Sequence, residues 1–320
     1  MSRVLEGPVA SPAAPSPGFP DGTAPSGPQV RAYLQDALGA LQDVEQALVA
    51  TGPGKAEALH RHRIALRRIR AIAGQFKSVL HPAGHERLRA LLAGWGKCSN
   101  RARDLEVMLE ARQRHATLVP AGLLAALDAI YGALAAERDR ELRTVIDRFA
   151  GAAHQAEREE AAGILVSADP GGDHATSMER LARSCSWRAY RRICSQAAAG
   201  LSAQQPGLVH ALRIRCKKLR YLLDICGHLA APGAHVGLAR ELRTVQAALG
   251  SFNDTSVQMT ELRKRVHHHR RDNGARLAVE ALHAAMERES ATRFALVAGA
   301  VAGLTAPATR ARYRQLLRRP

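Results

Sequence analysis

A short segment in the first third of the chain, HRHRIALRRIR at residues 60–70, holds seven basic or imidazole side chains in eleven positions and no acid. On a helix that turns about 100° per residue, four of these groups fall within one arc of about 80°: His60, Arg63, Arg67 and Arg70. They form a row about 15 Å long. Like charges this close destabilise an isolated helix, and an anionic polymer along the row would reverse that effect. We therefore interpret the row as an anion-binding surface.

The same arrangement returns 150 residues later, in the segment HALRIRCKKLR. The second row carries groups of the same type at the matching positions: His210, Arg213, Lys217 and Arg220. A basic neighbour also repeats, as Arg68 and Lys218, and an aspartate follows each histidine by 44 residues, as Asp104 and Asp254. A shared helical period aligns leucines by chance, but not histidines, arginines and aspartates at one offset. The sequence therefore predicts an internal duplication, which argues against the simpler interpretation of the row as a solvated face.

The residue types of the two rows suit phosphate. Arginine forks bind phosphate oxygens in pairs, lysine acts as a point charge, and histidine donates one hydrogen bond when neutral and two when protonated. Asp104 and Asp254 have no second carboxylate at a fixed spacing, so general acid–base catalysis is not indicated. We expect each aspartate to pair with arginines of its row and to hold them in place.

The rest of the chain predicts an all-α protein with two helical bundles in tandem. Of the 320 residues, 46% are hydrophobic and only 4% are aromatic, and no alternating strand segment is found. The apolar pattern predicts helices at about residues 30–50, 55–80, 85–115, 121–150, 175–199, 207–229, 235–270 and 273–302, before a short basic C-terminal helix.

Turn residues divide this chain into its parts. A Pro- and Gly-rich break at residues 167–173 separates a first repeat, at about 29–166, from a second, at about 174–320. Residues 1–28 contain seven of the fifteen prolines and show no apolar period. We predict that this first segment is a disordered tail.

The net charge of +17 restricts the classes of partner. Nucleic acid, anionic lipid and polyphosphate-like polymers would each neutralise such a surplus. Five scattered cysteines without zinc-type spacing indicate reduced thiols of a cytosolic protein. No signal peptide is expected, and no apolar run of about 18 residues predicts a membrane span.

The histidines outside the rows point to no metal site. The run HHHRR at residues 267–271 cannot place three ligands on one helix face. His62, His81 and His85 are interpreted as surface or turn residues. We therefore expect no bound metal.

Two pairs of motifs, LHRHRIALRRIRA (59–71) with RARDLEVML (101–109) and VHALRIRCKKLRY (209–221) with LGSFNDTSV (249–257), resemble the conserved histidine α-helical domain (CHAD) family. The resemblance covers about residues 29–320. It implies two four-helix bundles related by a pseudo-two-fold axis, with their second helices lining a central basic groove. It also implies binding of inorganic polyphosphate and association with polyphosphate or polyester storage granules.

Carried over by position, the resemblance assigns polyphosphate binding to the rows and their basic neighbours: His60, Arg63, Arg67, Arg68, Arg70, His210, Arg213, Lys217, Lys218 and Arg220. Four further cations on the third helices are expected to face the same groove: Lys97, Arg101, Arg240 and Arg243. Lys217 and Lys218 replace the family's usual arginines, which keeps the charge and loses the bidentate fork. The family usually has an arginine before the aspartate, and Arg103 conforms to this whereas Asn253 does not. We therefore expect the second half to hold phosphate less rigidly.

We therefore expect a cytoplasmic protein that binds inorganic polyphosphate without catalysis and needs no cofactor. Granule association and contacts with granule surface proteins are further expectations, with nucleic acid as a non-specific competitor. One alternative is a nucleic-acid-binding protein, which the charge allows, although aromatic residues for base stacking are scarce near the rows. The other is a metal-dependent phosphohydrolase, for which the sequence shows neither a carboxylate cluster nor an E-x-E-x-K signature.

Overall fold

The structure, a computed structural model, describes residues 18–50, 52–166, 171–202, 205–268 and 272–318. Apart from one isolated bridge between residues 25 and 177, all regular structure in these ranges is helical, which confirms the all-α prediction. The first half contributes these helices: α1 (Ser26–Val49), α2 (Lys55–Gln75), α3 (Pro82–Cys98), α4 (Asn100–Glu110), α5 (Arg112–Ala116), α6 (Leu124–Ala150) and α7 (Ala152–Val166).

The second half contributes a bundle and a C-terminal helix: α8 (Met178–Ala198), α9 (Pro206–Ala230), α10 (His235–His268), α11 (Asn273–Thr305) and α12 (Pro307–Leu317). Helices α8, α9, α10 and α11 pack in sequence, and α11 returns to contact α8. In the first half α1, α2, α3 and α7 form a comparable cycle, and α6 packs against α1, α4 and α7. Helix α2 also contacts α9 and joins the halves. The pseudo-two-fold relation between the repeats stays a prediction.

Helices α2 and α9 are oriented by the apolar faces opposite their basic rows. Leu66 and Ile69 on α2 are 2% and 1% exposed, and Leu212 and Leu219 on α9 are fully buried. All four belong to one hydrophobic cluster that takes residues from both halves of the chain. Burial of each such side chain contributes about 2 kcal/mol, so the shared core fixes the direction in which each basic row points.

The predicted continuous helix over residues 85–115 is wrong. Helix α3 ends at Cys98, Ser99 has φ −96° and ψ 3°, and α4 begins at the next residue. The Ser99 hydroxyl donates to the Gly96 carbonyl at 3.3 Å, a local bond that competes with the helical ladder. A second interruption at Ala111 separates α5. Helix α10 has no such break, so the two halves differ beside the first basic row.

The predicted disordered tail is wrong for residues 18–28, which lie against the core. Phe19 is 1% exposed, and its ring centre lies 5.7 Å from that of Phe76. The ring of His228 bonds the Phe19 carbonyl at 3.0 Å. Burial of an aromatic side chain stabilises strongly enough to order a Pro-rich segment. The rest of the predicted tail, residues 1–17, lies outside the described residues.

None of the described helices is by itself both long enough and apolar enough to cross a membrane, although α11 and α12, a pair bent by 51°, meet both criteria together. All five cysteines are free thiols, and three of them are buried: Cys185, Cys216 and Cys226. Of the histidine run, residues 269–271 lie outside the described residues.

Candidate anion-binding site

The two basic rows meet where α2 packs against α9. The pKa of Arg67 on α2 is lowered by burial and by the charges of Arg213 and Arg220 on α9. Lys217 lies among the same groups, because burial and these three arginines lower its pKa to about 6. Arg63 also lies beside Arg67, whose charge lowers its pKa. We call this group of five basic residues the inner cluster: Arg63, Arg67, Arg213, Lys217 and Arg220.

Three donors of the inner cluster are buried without a hydrogen-bond partner. The Nε atoms of Arg63, Arg213 and Arg220 make no hydrogen bond to any described residue. An unsatisfied buried donor costs about 1–3 kcal/mol, and more when the group is charged. Phosphate oxygens are strong acceptors, and a guanidinium fork can bind two of them at once. The inner cluster is therefore arranged to receive anionic oxygens.

Few of the described acidic groups contact the side chains of the inner cluster directly. Within the described ranges, the single ion pair of the five cations joins Arg220 Nε to Asp224 Oδ2 at 3.8 Å. Arg220 also lies 5.1 Å from the ring centre of Tyr221. Burial and the charge of Arg67 lower the pKa of Arg63 to about 10. Cations that lose water beside one another are unfavourable until an anion neutralises them.

The break between α3 and α4 orients the first row. Arg63 Nη1 donates to Ser99 Oγ at 2.8 Å and to Asn100 Oδ1 at 3.1 Å. Arg67 Nε in turn donates to the Arg63 carbonyl at 3.0 Å. Sequence reasoning missed Ser99 and Asn100 because a continuous helix was predicted there. A serine and an asparagine in succession were the available signal, since both residue types favour helix ends.

The predicted pairing of Asp104 and Asp254 with the row arginines does not take the form of hydrogen bonds or ion pairs. Within the described part of the chain, neither makes a hydrogen bond or ion pair to them, and Asp104 is exposed. Ser99 and Asn100 occupy the Arg63 donors instead. Both aspartates act at longer range, because the Asp104 charge opposes the lowering of the Arg63 pKa and the Asp254 charge opposes the lowering of the Lys217 pKa.

The two row histidines have different surroundings. Burial and the charge of Arg103 lower the pKa of His60, which favours the neutral ring. His210 Nδ1 lies 2.5 Å from Asn253 Oδ1, and this hydrogen bond requires the proton on Nδ1. Arg103 and Asn253 occupy matching positions in the repeat. The asparagine therefore orients His210, a role that the sequence did not reveal.

Arg101 does not face the inner cluster, contrary to the prediction. Its guanidinium donates to Glu261 at 2.7 Å and 2.9 Å and also to Glu137. Arg265 binds the same two carboxylates. Hydrogen bonding to Glu261, followed by Glu137, raises the pKa of Arg101 above its usual range. The direction of the side chain is set by packing of α4 against α6 and α10, which the sequence pattern of α4 does not reveal.

Some of the other predicted cations lie near the inner cluster, and others make no described contact with it. Burial raises the pKa of Asp224, and three arginine charges oppose that rise: Arg220, Arg68 and Arg243. Arg68 and Arg243 therefore lie near the cluster. Lys97 and Arg240 are exposed, and no hydrogen bond or ion pair within the described residues joins them to it. Arg70 and Lys218 meet across the α2–α9 contact, since burial and the Arg70 charge lower the pKa of Lys218.

His62 is fully buried, so its interpretation as a surface residue is wrong. Its Nε2 atom bonds Glu45 Oε1 at 3.1 Å, and His154 Nε2 bonds the other carboxylate oxygen at 2.9 Å. Two positions after His60, a side chain points about 200° away, onto the apolar face. His85 is also buried, at 7% exposure. His62 therefore ties α2 to α1 and α7 and does not line the anion-binding surface.

Comparisons with known proteins agree with this architecture. A family model described as the CHAD domain matches residues 32–263. The structure is similar to that of PptA from Streptomyces chartreusis, with a TM-score of 0.67 and 21% identity over 87% of this chain and 99% of that one. It is also similar to the CHAD domain from the plant Ricinus communis, with a TM-score of 0.69 and 18% identity over 97% and 98% of the two chains. A search of curated proteins gives no match. The family model covers well over half of the sequence, and the chain therefore belongs to the CHAD domain family.

Proposed function

We propose that this protein binds inorganic polyphosphate in the inner cluster and does not cleave it. The observation that carries the proposal is the convergence of five basic side chains from α2 and α9 in a partly buried place. Three of their guanidinium Nε donors make no hydrogen bond there, and the one ion pair of the cluster within the described residues joins Arg220 Nε to Asp224 at 3.8 Å. Membership of the CHAD family supports the choice of ligand.

A phosphate chain matches the cluster in charge and in hydrogen bonding. Each unit brings a negative charge and acceptor oxygens, so successive units can neutralise cations on the two facing helices. Release of counterions from the polymer then adds to the affinity. The free energy that the unpaired cations cost the free protein is recovered when the chain binds.

The inner cluster favours inorganic polyphosphate over single-stranded nucleic acid. Stacking of bases on exposed aromatic rings supplies much of the affinity for single strands. The aromatic ring in this cluster, Tyr221, is 5% exposed and lies beside Arg220. We therefore propose nucleic acid as a non-specific competitor that binds through its phosphates alone.

Reversal of one arginine in each row tests the proposal. Arg63→Glu with Arg213→Glu should lower the affinity for polyphosphate by at least about a hundredfold at physiological salt, as measured by calorimetry. Arg288→Glu with Arg314→Glu is the matched control, because both residues are exposed and the change in net charge is the same. Retention of polyphosphate by the first double variant would refute the proposal.

The absence of catalysis is part of the proposal and has its own test. The inner cluster supplies positive charge and hydrogen-bond donors, which hold a phosphate chain without activating a water molecule. Incubation of the pure protein with polyphosphate and Mg²⁺ should release no orthophosphate. If the wild-type protein released orthophosphate and Arg63→Glu with Arg213→Glu did not, the protein would be a phosphohydrolase that acts at the inner cluster.

We also propose a cytoplasmic location at polyphosphate-containing or polyester storage granules, where granule surface proteins are further partners. Binding to the polymer would suffice to recruit the protein to a polyphosphate granule. A fluorescent fusion should co-localise with stained granules, and the fusion carrying Arg63→Glu with Arg213→Glu should be diffuse. Granule staining by both fusions would show that another surface recruits the protein.

A further inference from the structure

A second group of cations lies beyond the inner cluster, where α2, α8 and α9 meet. We call its four exposed residues the outer cluster: Arg70, Arg192, Arg215 and Lys218. Lys218 lies among the others, because the charges that act on it after partial burial are those of the three arginines. No carboxylate is among these charges. The sequence pattern places Arg70 in the first row and Lys218 beside the second row.

Packing of α8 against α9 brings Arg192 and Arg215 together. Arg215 Nη1 donates to the Arg192 carbonyl at 3.1 Å, so this α9 side chain lies across the surface of α8. Within the described residues, no member of the outer cluster forms an ion pair with an acid. A face that is merely solvated usually has acidic partners in its salt-bridge pattern. The outer cluster therefore has the charge of an anion-binding surface.

The outer cluster continues directly from the inner one. Arg70 follows Arg67 by three positions on α2, which places their Cβ atoms about 5–6 Å apart. Lys218 is the chain neighbour of Lys217 on α9. The charged groups therefore extend from the contact of α2 with α9 towards the exposed face of α8.

We propose that the outer cluster is a second binding site for polyphosphate, and that one long chain occupies the inner and outer clusters together. This inference rests on the proposed function. A chain held in the inner cluster keeps its next units close to the outer one, so the second contact forms at a high effective concentration. Chains too short to reach both clusters gain nothing from the second one.

The surroundings of the outer cluster favour inorganic polyphosphate over nucleic acid there too. The aromatic residues of α8 are Trp187 and Tyr190, whose ring centres lie 5.9 Å apart. Tyr190 is fully buried and its hydroxyl donates to the Leu304 carbonyl at 2.9 Å. Trp187 is half-buried and packs against the core. Neither ring is presented as a free platform for bases.

Chain length is the variable that tests this inference. Polyphosphate of about 100 units can reach both clusters, whereas pyrophosphate, the shortest chain, contacts only one. Arg192→Glu with Arg215→Glu should weaken binding of the long chain by about tenfold or more and change pyrophosphate binding by less than about twofold. Arg192→Ala with Arg215→Ala should lose less affinity for the long chain, and again more for the long chain than for the short one. Arg288→Glu with Arg314→Glu is again the matched control, and thermal melting checks that each variant is folded.

The possible outcomes separate this inference from the proposed function. If the wild-type protein binds neither chain, the proposed function fails, and the second site fails with it. If the wild-type protein binds both chains and Arg192→Glu with Arg215→Glu behaves like the control, the outer cluster is not a site while the proposed function stands. An equal loss for both chain lengths would make it part of the inner site. If Arg192→Glu with Arg215→Glu weakened binding of single-stranded DNA and left binding of both polyphosphate chains unchanged, the outer cluster would be a nucleic-acid site.

Discussion

Lys217 is the member of the inner cluster whose charge depends on the ligand. Burial and the neighbouring arginines lower its pKa to about 6, so it is neutral in the free protein at neutral pH. An arginine at this position would stay charged despite the same burial and neighbouring charges, because its ordinary pKa is far higher. A bound polyanion stabilises the protonated amine. Binding should therefore carry a proton into the cluster.

The affinity for polyphosphate should consequently rise as the pH falls from 9 towards 6, by up to about tenfold per pH unit from this residue. Lys217→Arg should flatten that dependence, because the guanidinium is charged throughout. Calorimetry in buffers of different ionisation enthalpy measures the proton uptake. The exposed Lys97→Arg is the control. Identical pH profiles for the wild type and Lys217→Arg would contradict the mechanism.

The same shift affects the free protein with a definite sign. Between pH 10.5 and about 6 the unfolded chain binds a proton at Lys217 that the folded chain does not. The free protein therefore loses stability from this residue as the pH falls through that range. Bound polyphosphate opposes this loss, because it restores the charged form.

At the scale of helices, one buried carboxylate joins three elements of the first half. Glu45 on α1 is 2% exposed and contacts His62 on α2, His154 on α7 and Arg158 on α7 at 3.1, 2.9 and 3.4 Å. Burial alone would raise the pKa of Glu45, but hydrogen bonds from His154 and His62 lower it to about 2. The helix that carries the first basic row is thereby fixed from the side opposite the row.

Glu45→Gln should destabilise the protein by about 3 kcal/mol at pH 7, because Arg158 loses its buried counter-charge. The carboxylate stabilises the folded state above pH 4.5, and that contribution is lost as the pH falls towards 2. Urea unfolding should therefore show a smaller gap between wild type and variant at pH 3 than at pH 7. The exposed Glu110→Gln is the control. A gap independent of pH would show that the Glu45 charge is not what stabilises the cluster.

At the scale of the whole molecule, the segment before α1 links the two halves. Phe19 packs against Phe76 of the first half, and its carbonyl accepts a hydrogen bond from His228 of the second. The backbone N–H of Glu179 on α8 donates to the Gly22 carbonyl at 2.8 Å. These contacts support the arrangement in which the two rows face each other.

Phe19→Ala should cost about 3–5 kcal/mol, and Phe19→Leu distinctly less, because leucine refills most of the cavity. Thermal and urea unfolding measure both. Since the segment helps to hold the halves together, the alanine variant should also bind long polyphosphate more weakly than the leucine variant at 25 °C. If Phe19→Ala were as stable as the wild type, the segment before α1 would not be packed against the core in solution.

The all-α class and the position of both rows could be predicted because they depend on local periodicity. A basic stripe with apolar side chains at its back is determined by a spacing of three and four residues, whatever the helix packs against. The repeat at an offset of 150 residues also identified the important residues of α9. Local pattern was insufficient at Ser99, where a side chain ends the helix by bonding back to Gly96.

The sequence alone therefore determined which cations form rows, and the tertiary structure decided which of them act together. Packing of α2 on α9 places Arg67 beside Lys217, which are 150 residues apart, and packing of α8 on α9 adds Arg192 to a second cluster. The same level of structure turned Arg101 towards Glu137 and Glu261 and buried His62 against Glu45. Helical periodicity is set by neighbours along the chain, whereas charge pairing and burial depend on distant segments that only the folded core brings into contact.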